Sequence, residues 1–211
     1  MATEQSFLRN VADHEMTIIR DDGVNRHLRF KKPGDRDQQF DIITWPWHLC
    51  YCGDMGCYVF ERLEDMFCFF RGSGMRINPH YWAEKLQAVD RCDGLKKWNP
   101  DEFLRRVKED FDDWLAGGDL DEEAKKDAQY VFDCDVVEAI DEGKDAAYMA
   151  AIYLDIGGER PLQHFFEVDT DEFTYRYLWC CYALVWGVGK YDEHKDGTVR
   201  DGTPQHVSAG Y

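Results

Sequence analysis

Between Phe40 and Arg62 the chain reads FDIITWPWHLCYCGDMGCYVFER. Two runs of apolar, β-branched and aromatic residues flank Gly53-Asp54-Met55-Gly56, and the glycines supply the backbone freedom that a short loop needs. That pattern predicts a β-hairpin. From Leu63 the spacing of apolar residues becomes helical, and helices with one apolar stripe need an apolar surface to cover. The chain is thereby constrained to an α+β fold built on an N-terminal sheet.

A second hairpin is expected upstream, where Met16 to Ile19 and Arg26 to Phe30 flank the turn signal Asp21-Asp22-Gly23. Pro33-Gly34-Asp35 leads into Phe40, and Pro46 requires either an edge strand or a bend within the third run. Together these segments predict an antiparallel β-sheet of about four strands over residues 1–62.

Residues 63–191 read as about six helices packed on that sheet. Leu63, Met66, Phe67 and Phe70 form the first, ending at Gly72-Ser73-Gly74. Asn78-Pro79 opens a second, with Trp82, Leu86 and Val89 on one face. Asn99-Pro100-Asp101-Glu102 has a capping residue, a proline suited to the first helical position and a glutamate placed for a capping box. Phe103, Val107, Phe111 and Trp114 continue that helix to Gly117-Gly118. Leu120, Ala124, Ala128, Phe132 and Val136 predict another, running to Gly143, and an Ala-rich helix follows over Asp145 to Leu154. Thr170-Asp171-Glu172 is expected to open the last helix, which from Phe173 to Val188 is apolar nearly all round and so mostly buried. Gly72-Ser73-Gly74 and Gly187-Val188-Gly189 do not follow a strand and open a helix, so they read as helix stops or packing glycines and not as phosphate-binding turns. At 211 residues the chain suits one α+β domain over 1–191, with 192–211 as a polar tail.

The formal charge of −17 argues against a direct nucleic-acid or anionic-membrane binder, since phosphate binding depends on protein cations. The N-terminal residues MATEQSFLRNVADHE carry charge throughout with no apolar signal core, and no apolar run approaches the length of a membrane span. Eight cysteines in a chain of this size, with Cys180 and Cys181 inside apolar helical sequence, read as free thiols in a reducing cytoplasm.

The acidic residues are concentrated. Seventeen lie between Asp101 and Asp145 against six basic ones, a balance of −11 within about a fifth of the chain. With the apolar stripes of these helices turned inward, the carboxylates of Asp110, Asp112, Asp113, Asp119, Asp121, Glu122, Glu123 and Asp127 are expected to face outward. Such a field steers a cationic partner and imitates a phosphate surface, so these eight are the candidate partner-binding residues. A merely solvated face is the plainer alternative.

The other constellation is His48, Cys50 and Cys52, which share one side of a strand, with Cys57 across the loop from Cys52. Nitrogen and three sulfurs make a zinc-like set, but His-x-Cys-x-Cys lacks the two-residue cysteine spacing of zinc knuckles. Cys50 and Cys52 are therefore read as turned into the core, and no metal or cofactor is expected. A nucleophile–base pair of Cys57 with His48 or His80 has no supporting elbow motif.

The segments ITWPWHLCYCGDMGCYVFERLEDMFCFFR and TYRYLWCCYALVWGVGKYDE resemble stretches of a family of uncharacterised proteins carried by tailed phages and prophages of proteobacteria. The resemblance implies a small accessory factor acting in the bacterial cytoplasm, and brings no catalytic residue with it. Joined to the acidic segment, it leads to the expectation of a non-enzymatic inhibitor of a host defence complex (anti-CRISPR-like), which would bind a host protein through that protein's basic, nucleic-acid-binding surface. The alternative is a metal- or thiol-dependent enzyme acting on a small molecule or nucleotide signal, centred on His48, Cys50 and Cys52.

Overall fold

The computed structural model describes residues 1–118 and 120–200, and the protein is a mixed α+β structure. The chain falls into two compact units where one domain was expected. The first joins Met1–Leu95 to the segment that starts at Phe173, and the second is Lys96–Glu172.

The first unit is built on a six-stranded antiparallel meander: β1 (Glu15–Asp22), β2 (Asn25–Lys31), β3 (Phe40–Trp45), β4 (His48–Gly53), β5 (Gly56–Glu61) and β6 (Leu86–Ala88), hydrogen-bonded in that order. Both expected hairpins form. The sheet has two more strands than expected, for two reasons. Pro46 and Trp47 make a two-residue turn that splits the third apolar run into β3 and β4, with Trp45 paired to His48. Trp47 adopts a left-handed φ of 73°, unusual for so bulky a residue. Its backbone is fixed by the N–H donating to the Glu64 carbonyl and the C=O accepting from Arg62 N, both at 3.1 Å. The second reason lies at Leu86, where the helix expected from Asn78 does not continue. Helix α3 (Pro79–Ala83) ends early, and Leu86–Ala88 pairs with β5 through Phe60↔Leu86 and Val59↔Ala88.

Strand alternation gives the sheet one largely apolar face: Leu28, Phe30, Phe40, Ile42, Leu49, Tyr51, Tyr58 and Phe60 are all buried, with the paired Arg26 and Thr44 as its buried polar members. Helix α7 (Tyr175–Arg200) lies in the same core, with Tyr177, Trp179, Cys180, Cys181, Leu184 and Val188 buried. It starts later than expected, because Asp171–Phe173 is a strand. Thr174 is the cap, its hydroxyl accepting from Tyr177 N at 3.2 Å. Helix α1 (Glu4–Asn10), capped by Thr3 with Ser6, adds Phe7, whose ring meets Trp179 edge-on at 4.9 Å. Helix α2 (Met66–Phe70) adds Phe67 and Phe70. Side chains of this size each gain about 1.5–3 kcal/mol on burial, so the apolar face of the sheet is the chief source of this unit's stability.

Helix α7 also continues past Tyr191, where a polar tail was expected. Its charged end is tied down: Arg71 makes two hydrogen bonds to Asp192, at 2.7 and 2.8 Å, and Lys195 pairs with Asp21 at 2.7 Å. The rest of the expected tail, 201–211, lies outside the described residues. No helix among the described residues is long and apolar enough to cross a membrane.

In the second unit β7 (Lys96–Trp98) pairs with β8 (Asp171–Phe173) as a two-stranded ribbon. Helix α4 (Pro100–Gly117) starts where expected, with Asn99 Oδ1 accepting from Glu102 N at 3.1 Å. The capping box does not close, because the Glu102 carboxylate is held by Arg105. The helix expected from Leu120 to Gly143 becomes three pieces: α5 (Glu122–Phe132), a π-helical turn at Asp133–Val137 and a 3-10 turn at Glu138–Glu142. Helix α6 (Lys144–Tyr153) follows. Phe103, Val107 and Phe111 of α4 share a separate core with Ala128, Phe132, Val136, Ala147, Leu162 and Phe165. The rings of Phe111 and Phe132 stack at 4.3 Å.

Candidate functional site

The acidic candidates sit on α4 and α5, where they follow from the same helical period that buries the core. With Phe103, Val107 and Phe111 inward, Asp112 and Asp113 are exposed at the C-terminal half of α4. On α5, Glu122, Glu123 and Asp127 are exposed opposite Ala128 and Phe132. Asp121 is the α5 cap, accepting from Ala124 N at 2.8 Å, and Glu122 pairs with Lys125 at 3.7 Å. Asp110 differs from its neighbours: it is half-buried and meets His164 Nε2 at 3.2 Å. Asp119 lies outside the described residues. Asp112, Asp113, Glu123 and Asp127 make no ion pair among the described residues, so their charge is displayed and not spent within the unit.

Sequence reasoning missed a groove in this unit. Cys134, Asp135, Glu138, Ala139, Glu142, Ala146, Ala150 and Tyr153 line about 550 Å³ beside the π-helical turn. Three carboxylates there extend the negative surface beyond α5. The signal was present in the acidic run, but the break in helical period at Asp133 that opens the groove has no sequence mark.

The hairpin residues are placed differently from the expectation. Leu49 and Tyr51 of β4 point into the core, so His48, Cys50 and Cys52 face the other way. Cys50 is half-buried, and Cys52 and Cys57 are exposed. Register brings three rows together on this open face. One holds Trp45, His48 and Glu61, one His27, Ile43, Cys50 and Val59, and one Arg29, Asp41, Cys52 and Cys57. Asp41 accepts from Arg29 at 2.8 and 2.9 Å and meets His27 Nε2 at 2.8 Å. Burial alone would raise the Asp41 carboxyl, but hydrogen bonds from Arg29 and His27 outweigh it and hold the group below the usual range.

Among the described residues neither His48 nor His80 hydrogen-bonds to a cysteine. The His48 ring stacks on Trp45 at 5.1 Å, with Nδ1 at 3.1 Å from the Pro46 carbonyl and Nε2 at 3.7 Å from Glu61. His80 lies against the Phe173 ring. Burial, with the neighbouring thiols Cys57 and Cys52, pushes the Cys50 thiol up to about 12. Burial and Cys57 also raise Cys52. Neither is prepared as a nucleophile at neutral pH, since the thiolate is the reactive form. Among the described residues no group of three or more His, Cys, Asp or Glu side chains is placed to hold a metal ion.

A second cavity, of about 320 Å³, lies in the first unit between Leu8, Met75, Val185 and Trp186, with Arg71 and Asp192 at its rim already committed to each other. Compared with known protein families, with curated proteins and with solved structures, the chain matches none.

Proposed function

We propose that this protein is a non-enzymatic accessory factor that binds a host protein complex and inhibits it, its acidic helices occupying a basic surface that otherwise takes nucleic acid. One observation carries the reading. The apolar stripes of α4 and α5 are sealed in their own core, which leaves Asp112, Asp113, Glu123 and Asp127 exposed and unmatched by cations among the described residues. Unmatched carboxylates of this density raise the local negative potential, steer a cationic partner and compete with phosphates for its arginines and lysines. The phage setting comes from the sequence resemblance alone, and the host defence complex as target comes from that setting together with the charge.

The rival reading, a metal- or thiol-dependent enzyme at His48, Cys50 and Cys52, has less behind it. Its thiols are raised and its histidine is turned to Pro46 and Glu61.

The test is a tagged pull-down from bacterial lysate with the wild type and with a variant carrying Asp112→Lys, Asp113→Lys, Glu123→Lys and Asp127→Lys. All four positions are exposed, so the fold is expected to survive, checked by circular dichroism. A nucleic-acid-binding protein captured at low salt, lost at high salt and lost in the variant is the expected result, because surface electrostatics are screened within ~8 Å at physiological salt. Equal capture by the folded variant would refute the acidic-surface mechanism.

A further inference from the structure

The hairpin of β4 and β5 has a two-residue loop, Asp54-Met55, closed by the pair Gly53↔Gly56. In a loop of that length the closing pair exchanges hydrogen bonds, so the next pair, Cys52↔Cys57, falls at a non-hydrogen-bonded site. The Cys57 backbone agrees. Its N–H turns away from β4 and donates to Asp90 Oδ2 at 3.2 Å. At such sites facing Cα atoms are about 4.5 Å apart, inside the ~4.4–6.8 Å that a disulfide requires. Cys50 Sγ also lies near Cys57 Sγ, at 3.9 Å. Yet Cys50 is in register with Val59, so it is diagonal to Cys57, and diagonal Cα atoms stand about 7–8 Å apart, too far for an unstrained bridge.

The pair is also held in place. The Asp90 carboxylate accepts from the backbone N–H groups of Cys57, Cys92 and Asp93. A Cβ at position 56 would sit 2.8 Å from that carboxylate, and the φ of +106° there also demands glycine. Cys52 and Cys57 are exposed on the uncovered face of the sheet, open to a dissolved oxidant.

We propose that Cys52 and Cys57 are a reversible modification site, which forms a cross-strand disulfide by exchange with a low-molecular-weight disulfide such as oxidised glutathione. The Cys57 thiolate attacks one sulfur of the small disulfide, whose S–S bond breaks and releases one thiolate. The Cys52 thiolate then attacks Cys57 Sγ, breaks the mixed disulfide and releases the second. Two protein thiols are oxidised, the small disulfide is reduced to two thiols, and the two protons lost by the protein end on them. Cys50 is close enough to take the mixed disulfide from Cys57 and return it, a side path that does not change the product.

The experiment exposes reduced full-length protein to oxidised glutathione at mildly alkaline pH, blocks remaining thiols and maps the peptides without reduction. Trypsin leaves Cys50, Cys52 and Cys57 in one peptide, so the digest also cuts after Tyr51 and before Asp54, which separates all three. The expected product has lost two hydrogens and links Cys52 to Cys57. Cys52→Ser should instead retain a glutathione adduct, and Cys92→Ser should behave as the wild type. Any other result in the wild type overturns the proposal: no thiol loss, a link to Cys50, a link between two copies, or an adduct that persists as it does in Cys52→Ser.

Discussion

Gly187 lies inside α7, where alanine would ordinarily be the better residue by about 1 kcal/mol. The structure reverses that sign. A Cβ at 187 would come 2.6 Å from Ile42 Cδ1 and 3.2 Å from two atoms of the Phe30 ring. Ile42 and Phe30 are both fully buried, and the Phe30 ring is stacked on Phe40 at 4.8 Å and met by Trp186 at 5.4 Å, so neither has open space to retreat into. Overpacking of this kind costs about 1–3 kcal/mol. Set against the helix gain, Gly187→Ala should destabilise the protein by ~1–2 kcal/mol. Gly189 is the internal control: it lies in the same helix two residues on, and a Cβ there meets nothing within 4 Å. Gly189→Ala should therefore stabilise by up to about 1 kcal/mol. Urea denaturation followed by tryptophan fluorescence reads the difference, since Trp179 and Trp186 sit in this core. Ile42→Val removes the offending methyl and should recover part of the loss in the double variant, a coupling of roughly 1 kcal/mol. A Gly187→Ala protein as stable as Gly189→Ala would mean that α7 does not approach the sheet at Ile42, and the packing described for the first unit would fail.

Three further outcomes are expected. Arg26 is 9% exposed, forms a two-pronged hydrogen bond with Asp65 at 2.8 and 3.0 Å and lies over the Phe67 ring at 4.5 Å. Arg26→Ala strands the Asp65 carboxylate and should cost about 3 kcal/mol in the same denaturation assay, the low end of the range because Asp65 keeps some solvent. Burial alone would raise Asp65, but hydrogen bonds from Arg26 and Phe67 N hold it below the usual value. A carboxylate lowered in the folded state contributes stability that is complete above its unfolded value, about 3.9, and is lost as pH falls through the folded one. The urea midpoint should therefore decline in acid, and Asp65→Asn should flatten part of that decline. Gly56→Ala should loosen the hold of Asp90 on Cys57, which hydrogen exchange of the Cys57 amide would show as faster exchange.

How far the sequence reveals the fold depends on how many residues an element offers to a periodic pattern. The turn at Gly53-Asp54-Met55-Gly56 and the start at Asn99-Pro100 depend on local backbone chemistry and form as read, whereas the hairpin expected at Asp21-Asp22-Gly23 turns slightly later, at Gly23-Val24, with Asp21 and Asp22 paired to Arg26 and Asn25. Strands of three residues have almost no period to read. Leu86 falls on the helical spacing from Trp82, yet it is taken by the free edge of β5. Asp171 and Glu172 look like the first turn of a helix because acidic residues suit one. In the structure they pair instead with Lys144 at 2.6 Å and Lys97 at 3.4 Å, interactions between residues distant in sequence that no local window contains. Asp110 is the same case within the acidic face, since His164 reaches it from another element.

The cysteines are the opposite case, because the information was in the strand. Their expected inward placement followed from the usual burial of free cysteine, a property of the residue taken alone. A strand cannot choose its residues singly, since side chains alternate and a shift of one position turns every one of them over. Turning Cys50 and Cys52 inward would carry His48 with them, and on the paired β5 it would bury Cys57, Val59 and Glu61. Leu49, Tyr51, Tyr58 and Phe60 would then go to solvent, each forfeiting about 1.5–3 kcal/mol, and a glutamate would enter the core without a partner. Burying two small thiols gains far less than that. The charged and large apolar members of each strand decide its inward face, the small thiols follow, and three cysteines are thereby brought together on the open side of the sheet, where oxidation can reach two of them.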